Sequence, residues 1–118
     1  MKTEDYVSFE TAKLLKEKGF GDCATSFLGN GNMFPTCIVK RKEHYPAPTL
    51  QMARKWLRED KNVDIEISVY SKGFDGTLTY CADVLAYGNR LIMKQPIINA
   101  TYEQTCEAAI KYCLENLI

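Results

Sequence analysis

The first candidate for chemistry in this sequence is its one histidine, His44, which lies in the run Lys-Glu-His-Tyr before a proline-rich segment. A general base needs an orienting partner and a cleft, and Glu43, its neighbour in the chain, does not supply that geometry. A zinc site built from His44 and Cys37 would need two more ligands, and none is suitably spaced in the sequence. We therefore predict a solvated surface histidine and no metal site.

The cysteines are a second source of possible chemistry. They are Cys23, Cys37, Cys81, Cys106 and Cys113. Their number is odd and no two form a CxxC motif, which argues against a disulfide framework or a metal site. Cys106 and Cys113 share one face of a predicted helix, but two helical turns separate them by roughly 10 Å, too far for a disulfide. We predict reduced thiols, mostly buried, that pack as small apolar side chains.

Two further patterns suggest chemistry at first sight. The glycines around Asn30, at positions 29 and 31, lack the Lys-Ser/Thr of a phosphate loop and do not fit the dinucleotide fingerprint either, so we interpret them as a turn. Asp64 and Glu66 alternate with apolar residues and fit the solvated face of a strand. The sequence thus offers no catalytic set, and we expect a protein that is not an enzyme and needs no cofactor.

Basic residues form the one cluster that could bind a ligand. Fifteen basic and fifteen acidic residues cancel over the whole chain, but residues 40–61 hold seven basic and three acidic ones, a net charge of +4. The candidate binding patch comprises Lys40, Arg41, Lys42, Tyr45, Arg54, Lys55 and Arg58. Basic side chains interleaved with an aromatic ring can bind phosphates and stack on bases. The alternative is that Arg54, Lys55 and Arg58 form the solvent face of an amphipathic helix.

Three helices are predicted from capping residues and apolar periodicity. The first runs from about Phe9 to Lys18, with Ser8 as its N-cap and Gly19 at its end. The second covers about residues 50–60 and begins after Thr49, with Trp56 predicted to lie in the core. The third follows Thr101, and its apolar stripe comprises Cys106, Ala109, Ile110, Cys113 and Leu117.

The predicted strands form a meander and a separate hairpin. Residues 63–69 alternate between apolar and polar, and residues 77–87 are apolar on both faces, which predicts cover on both faces. A turn at Gly88-Asn89 leads to a third strand at residues 91–95, which ends at Pro96. Residues 23–27 and 33–40 form the possible extra hairpin. We predict one α+β domain over residues 1–118, with a small antiparallel sheet between helices in a helix–sheet–helix layering.

The location of the protein is predicted from what the chain lacks. The N-terminal segment MKTEDYVSFE is polar where a signal peptide would be apolar, and no apolar run approaches the length of a membrane span. We therefore expect a cytoplasmic protein that does not bind membranes.

Three stretches of the sequence resemble a known group of proteins. They are YVSFETAKLLKEKGF (6–20), YPAPTLQMARKWLRE (45–59) and TYEQTCEAAIKYCLENLI (101–118). These stretches resemble small uncharacterised proteins of phages and mobile elements of Bacteroides-type bacteria, and the layout is similar to the phage ABA sandwich domain. The resemblance implies a small antiparallel sheet layered with helices and a phage or prophage origin. It implies no activity, cofactor or functional residue.

Two functions follow as expectations from these observations. The first is a non-enzymatic accessory or interaction protein of phage or mobile-element type, which binds a protein partner through its surface. The second is a small nucleic-acid-binding module that uses the basic patch, although the zero net charge gives no general attraction to polyanions.

Overall fold

The computed structural model describes residues 5–86, 89–91 and 96–118. Its helices are α1 (Phe9–Glu17), α2 (Thr36–Val39), α3 (Leu50–Lys61) and α4 (Tyr102–Asn116). Its strands are β1 (Thr25–Leu28), β2 (Met33–Pro35), β3 (His44–Pro46), β4 (Val63–Lys72), β5 (Leu78–Ala86), β6 (Asn89–Arg90) and β7 (Ile97–Asn99). The predicted α+β class is confirmed, with antiparallel pairing throughout the described strands.

The three long helices begin at the predicted caps. The hydroxyl groups of Ser8, Thr49 and Thr101 each accept a hydrogen bond from the backbone N–H three residues later. Such a bond satisfies one of the N–H groups that a helix leaves without a partner in its first turn. Helix α3 ends at Asn62, which adopts the left-handed conformation (φ 57°) that stops a helix.

A three-stranded sheet with the order β2–β1–β3 contains the predicted hairpin. The predicted second strand at residues 33–40 is wrong beyond Pro35, where the chain enters α2. Pro35 has no N–H for a ladder, and the Thr36 hydroxyl instead bonds to the Ser26 hydroxyl and the Cys23 carbonyl group. Strand β3 was not predicted, because Tyr45-Pro-Ala-Pro48 indicates extended backbone without showing what it pairs with.

The second sheet has four strands, with β4 at its edge and β5 next to it. Both strands of the central hairpin were predicted, and β4 extends three residues further than expected, to Lys72. Within the predicted turn and third strand, residues 88 and 92–95 lie outside the described residues. β6 pairs with the end of β5, and β7 pairs with its beginning after the proline at position 96.

The helices contact this second sheet through one face. Helix α3 contacts β4, and α4 contacts β4, β5 and β7 over the buried side chains of that face. These are Val63, Ile65, Ala82, Val84 and Ala86. Helix α1 packs between β3 and α4, so residues of both sheets share one hydrophobic core.

The opposite face of the second sheet is more polar than the face that α3 and α4 cover. Glu66 and Ser68 are exposed on it, and Cys81, Asp83 and Leu85 are partly buried. Arg90 of β6 lies on this face, and its guanidinium group forms ion pairs with Asp83 (2.5 Å) and Glu66 (3.2 Å). Charged groups of this kind favour contact with water, so the face stays open.

Candidate functional site

The β4–β5 hairpin carries the most prominent apolar surface of the described chain. We call residues 68–80 the hairpin arm. Within it, the exposed fractions are 54% for Val69, 60% for Tyr70 and 114% for Phe74. Single exposed apolar residues are ordinary on protein surfaces, but a group of them on one element is typical of an interaction site.

The turn at the end of the arm is held by its own hydrogen bonds. The Gly73 N–H donates to the Thr77 carbonyl oxygen (2.8 Å), and the Gly76 N–H donates to the Gly73 carbonyl oxygen (3.0 Å). The Asp75 carboxylate accepts from both the N–H and the hydroxyl group of Thr77, and these bonds lower its pKa. The remaining turn residue, Phe74, has no role in these bonds, and its ring points into solvent on a well-defined loop.

Two backbone features shape the arm. Gly76 has φ +87°, a conformation that glycine adopts at little cost. Val69 pairs with Tyr80 and Ser71 pairs with Thr79, so Tyr70 is the extra residue of a β-bulge. A bulge bends its strand and increases the local twist. The bulge at Tyr70 lies in the part of β4 where the side chains are exposed and no longer covered by helices.

A cleft of about 410 Å³ lies beside the arm, between β5 and the start of α4. We call it the arm cleft, and its lining residues are Gly76, Leu78, Tyr80, Ala100, Thr101, Tyr102 and Glu103. The rings of Tyr80 and Tyr102 meet edge to face with centroids 6.1 Å apart, a favoured arrangement for aromatic pairs. The arm and this cleft are therefore adjacent aromatic surfaces.

The predicted basic patch separates into exposed and internally bonded residues. The exposed ones are Lys40, Arg41 and Lys42 in the connection from α2 to β3, and Lys55 and Arg58 on α3. Contacts of α2 and β3 run to α1, β1 and β2. The structure thus places these five charges on two separate parts of the chain.

Tyr45 and Arg54 of the predicted patch take part in internal contacts. The Tyr45 ring packs against Phe9 at 5.5 Å and lies under the Lys16 ammonium group at 4.8 Å. Arg54 is partly buried, and its guanidinium group donates to the Ile65 carbonyl oxygen at 2.6 Å. These two side chains hold the fold together, and their contacts occupy the groups that would stack on a base or bind a phosphate.

His44 is not the solvated residue that the sequence predicts. Its side chain is 12% exposed, and it borders a cleft of about 340 Å³ at the start of β3. In its protonated form, the ring donates from Nδ1 to the Lys42 carbonyl oxygen (2.7 Å) and from Nε2 to the Asp22 carboxylate (2.9 Å). The bond to Lys42, with help from Asp22, raises the pKa of His44 against the opposing effect of burial. Both partners only accept hydrogen bonds, so the protonated ring can donate to both of them and the neutral ring to just one.

The His44–Asp22 pair makes stability depend on pH. The pKa is higher in the folded than in the unfolded chain, so the pair stabilises the fold fully below the ordinary histidine pKa of about 6.5. This stabilisation is lost as the pH rises through the folded pKa. We expect Asp22→Asn to reduce that loss, measured as the free energy of unfolding by urea across neutral pH. The imidazole NMR titration of this one histidine gives the folded pKa directly, and a value at or below that of a model peptide would contradict the prediction.

The prediction of mostly buried cysteines is correct for two of the five. Cys106 and Cys113 are buried on α4, whereas Cys23 and Cys81 are partly buried and Cys37 is exposed, and all five are free. Burial raises the pKa of Cys106 to about 11 and that of Cys113 to about 12, so both remain thiols at neutral pH. Within residues 5–86, 89–91 and 96–118, no group of three His, Cys, Asp or Glu side chains could hold a metal ion.

Sequence reasoning identified the loop that carries Phe74 as a turn but missed the exposure of its ring. The signal was present, because an aromatic residue stands between glycines in Lys-Gly-Phe-Asp-Gly.

None of the helices in the described part of the chain is long and apolar enough to cross a membrane. Comparison with family models, curated proteins and solved structures finds no match. The function must therefore be argued from the geometry of the chain itself.

Proposed function

We propose that this chain is a non-enzymatic accessory protein of the phage or mobile-element type, and that it acts by binding a protein through the hairpin arm. The observation that carries the proposal is the complete exposure of Phe74 on a turn fixed by hydrogen bonds. A rigid aromatic side chain loses little conformational entropy on binding, and such residues dominate the energetics of many protein interfaces.

Strand β4, which forms one side of the arm, also provides backbone groups for pairing. The Ile65 N–H donates to the Asp64 carboxylate, and the Ile65 carbonyl oxygen accepts from Arg54. Both backbone groups of Ile65 therefore point away from β5. Backbone direction alternates along a strand, so Ile67 and Val69 present their backbone groups to the same outer edge. A long edge strand with apolar side chains is a recognised site of strand addition.

The side chains with catalytic potential support a non-enzymatic role. Both ring nitrogens of His44 lie against acceptors of the chain itself, and the thiols of Cys106 and Cys113 are buried and protonated. A thiol nucleophile needs a base within hydrogen-bonding distance or a lowered pKa, and these two thiols have neither in the described structure. Turnover of any substrate by the purified protein in a broad hydrolase and transferase screen would contradict this part of the proposal.

Photocrosslinking tests whether the arm contacts a protein. We would replace Phe74 with a photoreactive phenylalanine analogue and irradiate cells of the native host that express the variant. A crosslinked protein adduct is expected at position 74, because the ring would be buried in the interface. Ile38 on α2 is the matched control, since it is 70% exposed and lies on another element.

The crosslinking experiment has clear opposing outcomes. Equal yields of protein adducts at positions 74 and 38 would show that the arm is not a specific contact surface. Adducts at position 74 that disappear after nuclease treatment would indicate nucleic acid and would overturn the proposal. Both alternatives are resolved on one gel with nuclease-treated and untreated lanes.

Nucleic-acid binding through the basic patch remains the second candidate function. The observation in its favour is the exposure of Lys40, Arg41, Lys42, Lys55 and Arg58. Binding of this kind depends on salt, because phosphate contacts release counterions. Filter binding at low salt tests it, with a Lys55→Glu/Arg58→Glu double variant expected to weaken retention. No retention of the unaltered protein at low salt would exclude this function.

A further inference from the structure

The hairpin arm offers a projecting ring, and the arm cleft offers space beside apolar side chains. Phe74 offers a phenyl ring with its whole surface in water, and the cleft offers about 410 Å³ beside Leu78, Tyr80 and Tyr102. The two cannot meet within one molecule in this structure, since the hydrogen-bonded turn holds Phe74 in solvent. One molecule therefore carries both an exposed aromatic ring and an open cleft whose wall combines polar groups with the side chains of Leu78, Tyr80 and Tyr102.

The charges beside the two surfaces are complementary. Lys72 is exposed at the base of the turn that carries Phe74. The arm cleft has a carboxylate in its wall, that of Glu103. If Phe74 enters the cleft of another copy, a lysine approaches this carboxylate, and opposite charges at the rim of an interface favour one orientation.

We propose that the partner of the hairpin arm is a second copy of this chain, with Phe74 of each copy inserted into the arm cleft of the other. The inference rests on the proposed function and names the partner of the same surface. In a dimer with twofold symmetry, each ring occupies the cleft of the other copy. No ring or cleft is then left for a third copy, so the assembly closes as a dimer.

The exposed area indicates the size of this interface. Val69, Tyr70, Phe74 and Tyr102 are 54%, 60%, 114% and 39% exposed. With a typical surface of 150–250 Å² for each aromatic side chain and a smaller one for Val69, they expose roughly 500 Å² per copy. A total of roughly 1,000 Å² is at the lower limit for a specific interface, where complexes are weak and transient. We therefore expect a reversible dimer with a dissociation constant on the order of 10–100 µM.

Sedimentation velocity of the purified chain tests the proposal. The unaltered protein should shift from monomer to dimer between about 5 and 500 µM, and Phe74→Ser should raise the dissociation constant at least about tenfold. Ala100→Arg places a long side chain at the cleft from an exposed position and should have the same effect. Ile38→Ser removes an equally apolar, exposed side chain elsewhere and should leave the dissociation constant unchanged.

A mixture of the two monomeric variants tests the reciprocal geometry. The Phe74→Ser copy keeps its cleft and the Ala100→Arg copy keeps its ring, so one of the two contacts can form between them. The mixture should contain a heterodimer weaker than the dimer of unaltered chains but tighter than either variant with itself.

The possible results separate this inference from the proposed function. A chain that stays monomeric, a Phe74→Ser variant that dimerises normally or an open-ended polymer would each overturn the inference. If the chain is monomeric but position 74 crosslinks to a different protein in cells, the proposed function stands and the second copy is excluded as the partner. If both experiments are negative, the inference and the proposed function both fail.

Discussion

Replacing Arg54 with alanine is expected to lower the free energy of unfolding by about 2–3 kcal/mol, since hydrogen bonds to charged groups contribute about 1.5–3 kcal/mol each. The guanidinium group donates to the Ile65 carbonyl oxygen of β4 (2.6 Å) and to the Tyr102 hydroxyl group of α4 (2.8 Å). Arg54 itself lies on α3, so one side chain joins three elements. Its removal leaves the partly buried carbonyl group without this donor.

The neighbouring residue on the same helix gives a matched control. Lys55 belongs to the same predicted basic patch, but it is exposed and has no hydrogen bond or ion pair in the described structure. Lys55→Ala should change the free energy of unfolding by less than about 0.5 kcal/mol, as is usual for such surface positions. Urea denaturation of both variants makes the comparison.

The opposite result for Arg54 would have a definite meaning. If Arg54→Ala and Lys55→Ala were equally mild, the contacts to β4 and α4 would add nothing to stability. Arg54 would then belong with the solvated residues of the basic patch, available to a ligand. Arg54→Lys is informative as well, because an ammonium group cannot reproduce the fixed fork of the guanidinium group and should recover only part of the stability.

The elements that the sequence predicts correctly are those specified by local chemistry. Helices α1, α3 and α4 follow capping hydroxyl groups and apolar stripes, and both features act within a few turns of one helix. Strand β4 follows strict alternation of apolar and polar residues. The buried face of α4 was predicted correctly, since Cys106, Ala109, Ile110 and Cys113 are at most 1% exposed.

The elements that sequence reasoning missed depend on partners far along the chain. Strand β3 exists because its residues pair with β1, about 18 residues earlier. His44 becomes partly buried because Asp22, also far away in sequence, reaches its ring. Residues 23–46 form short elements, and their single turns and three-residue strands are too brief for periodicity to distinguish.

The hairpin arm shows the same limit at the candidate site. Alternation predicts which residues of β4 share a face, and that face is buried at Ile65 but exposed at Val69. The change occurs because α3 and α4 cover only part of the strand, and the length of that cover is set by tertiary packing. The aromatic residues could be located from the sequence, but their exposure could not.

A second large effect is expected at the start of α1, where a carboxylate from α4 completes the helix cap. Glu107 Oε1 accepts from the Ser8 N–H (2.9 Å) and from the Thr11 hydroxyl group (2.6 Å). In a capping box, the third residue of the helix supplies this acceptor for the N-cap N–H. Here the third residue is Thr11, and the acceptor comes from a position 99 residues from Ser8.

Glu107→Ala is expected to lower the free energy of unfolding by about 2–3 kcal/mol, because it removes two charge-assisted hydrogen bonds, one of them to a fully buried hydroxyl group. The carboxylate also lies at the positive end of the α1 dipole, which favours a negative charge. Glu107→Gln keeps an acceptor oxygen without the charge and should lose about 1 kcal/mol.

A double-mutant cycle with Thr11→Val isolates the contact between the two helices. Valine has nearly the shape of threonine but has no hydroxyl group, so Thr11→Val removes the donor and its need for an acceptor together. The combined loss in Thr11→Val/Glu107→Ala should be smaller than the sum of the single losses by about 1 kcal/mol or more. Strict additivity would mean that Glu107 acts on the Ser8 N–H and the helix dipole alone. Coupling would show that a buried hydroxyl–carboxylate bond fixes α1 against α4, and so holds the two sheets in one core.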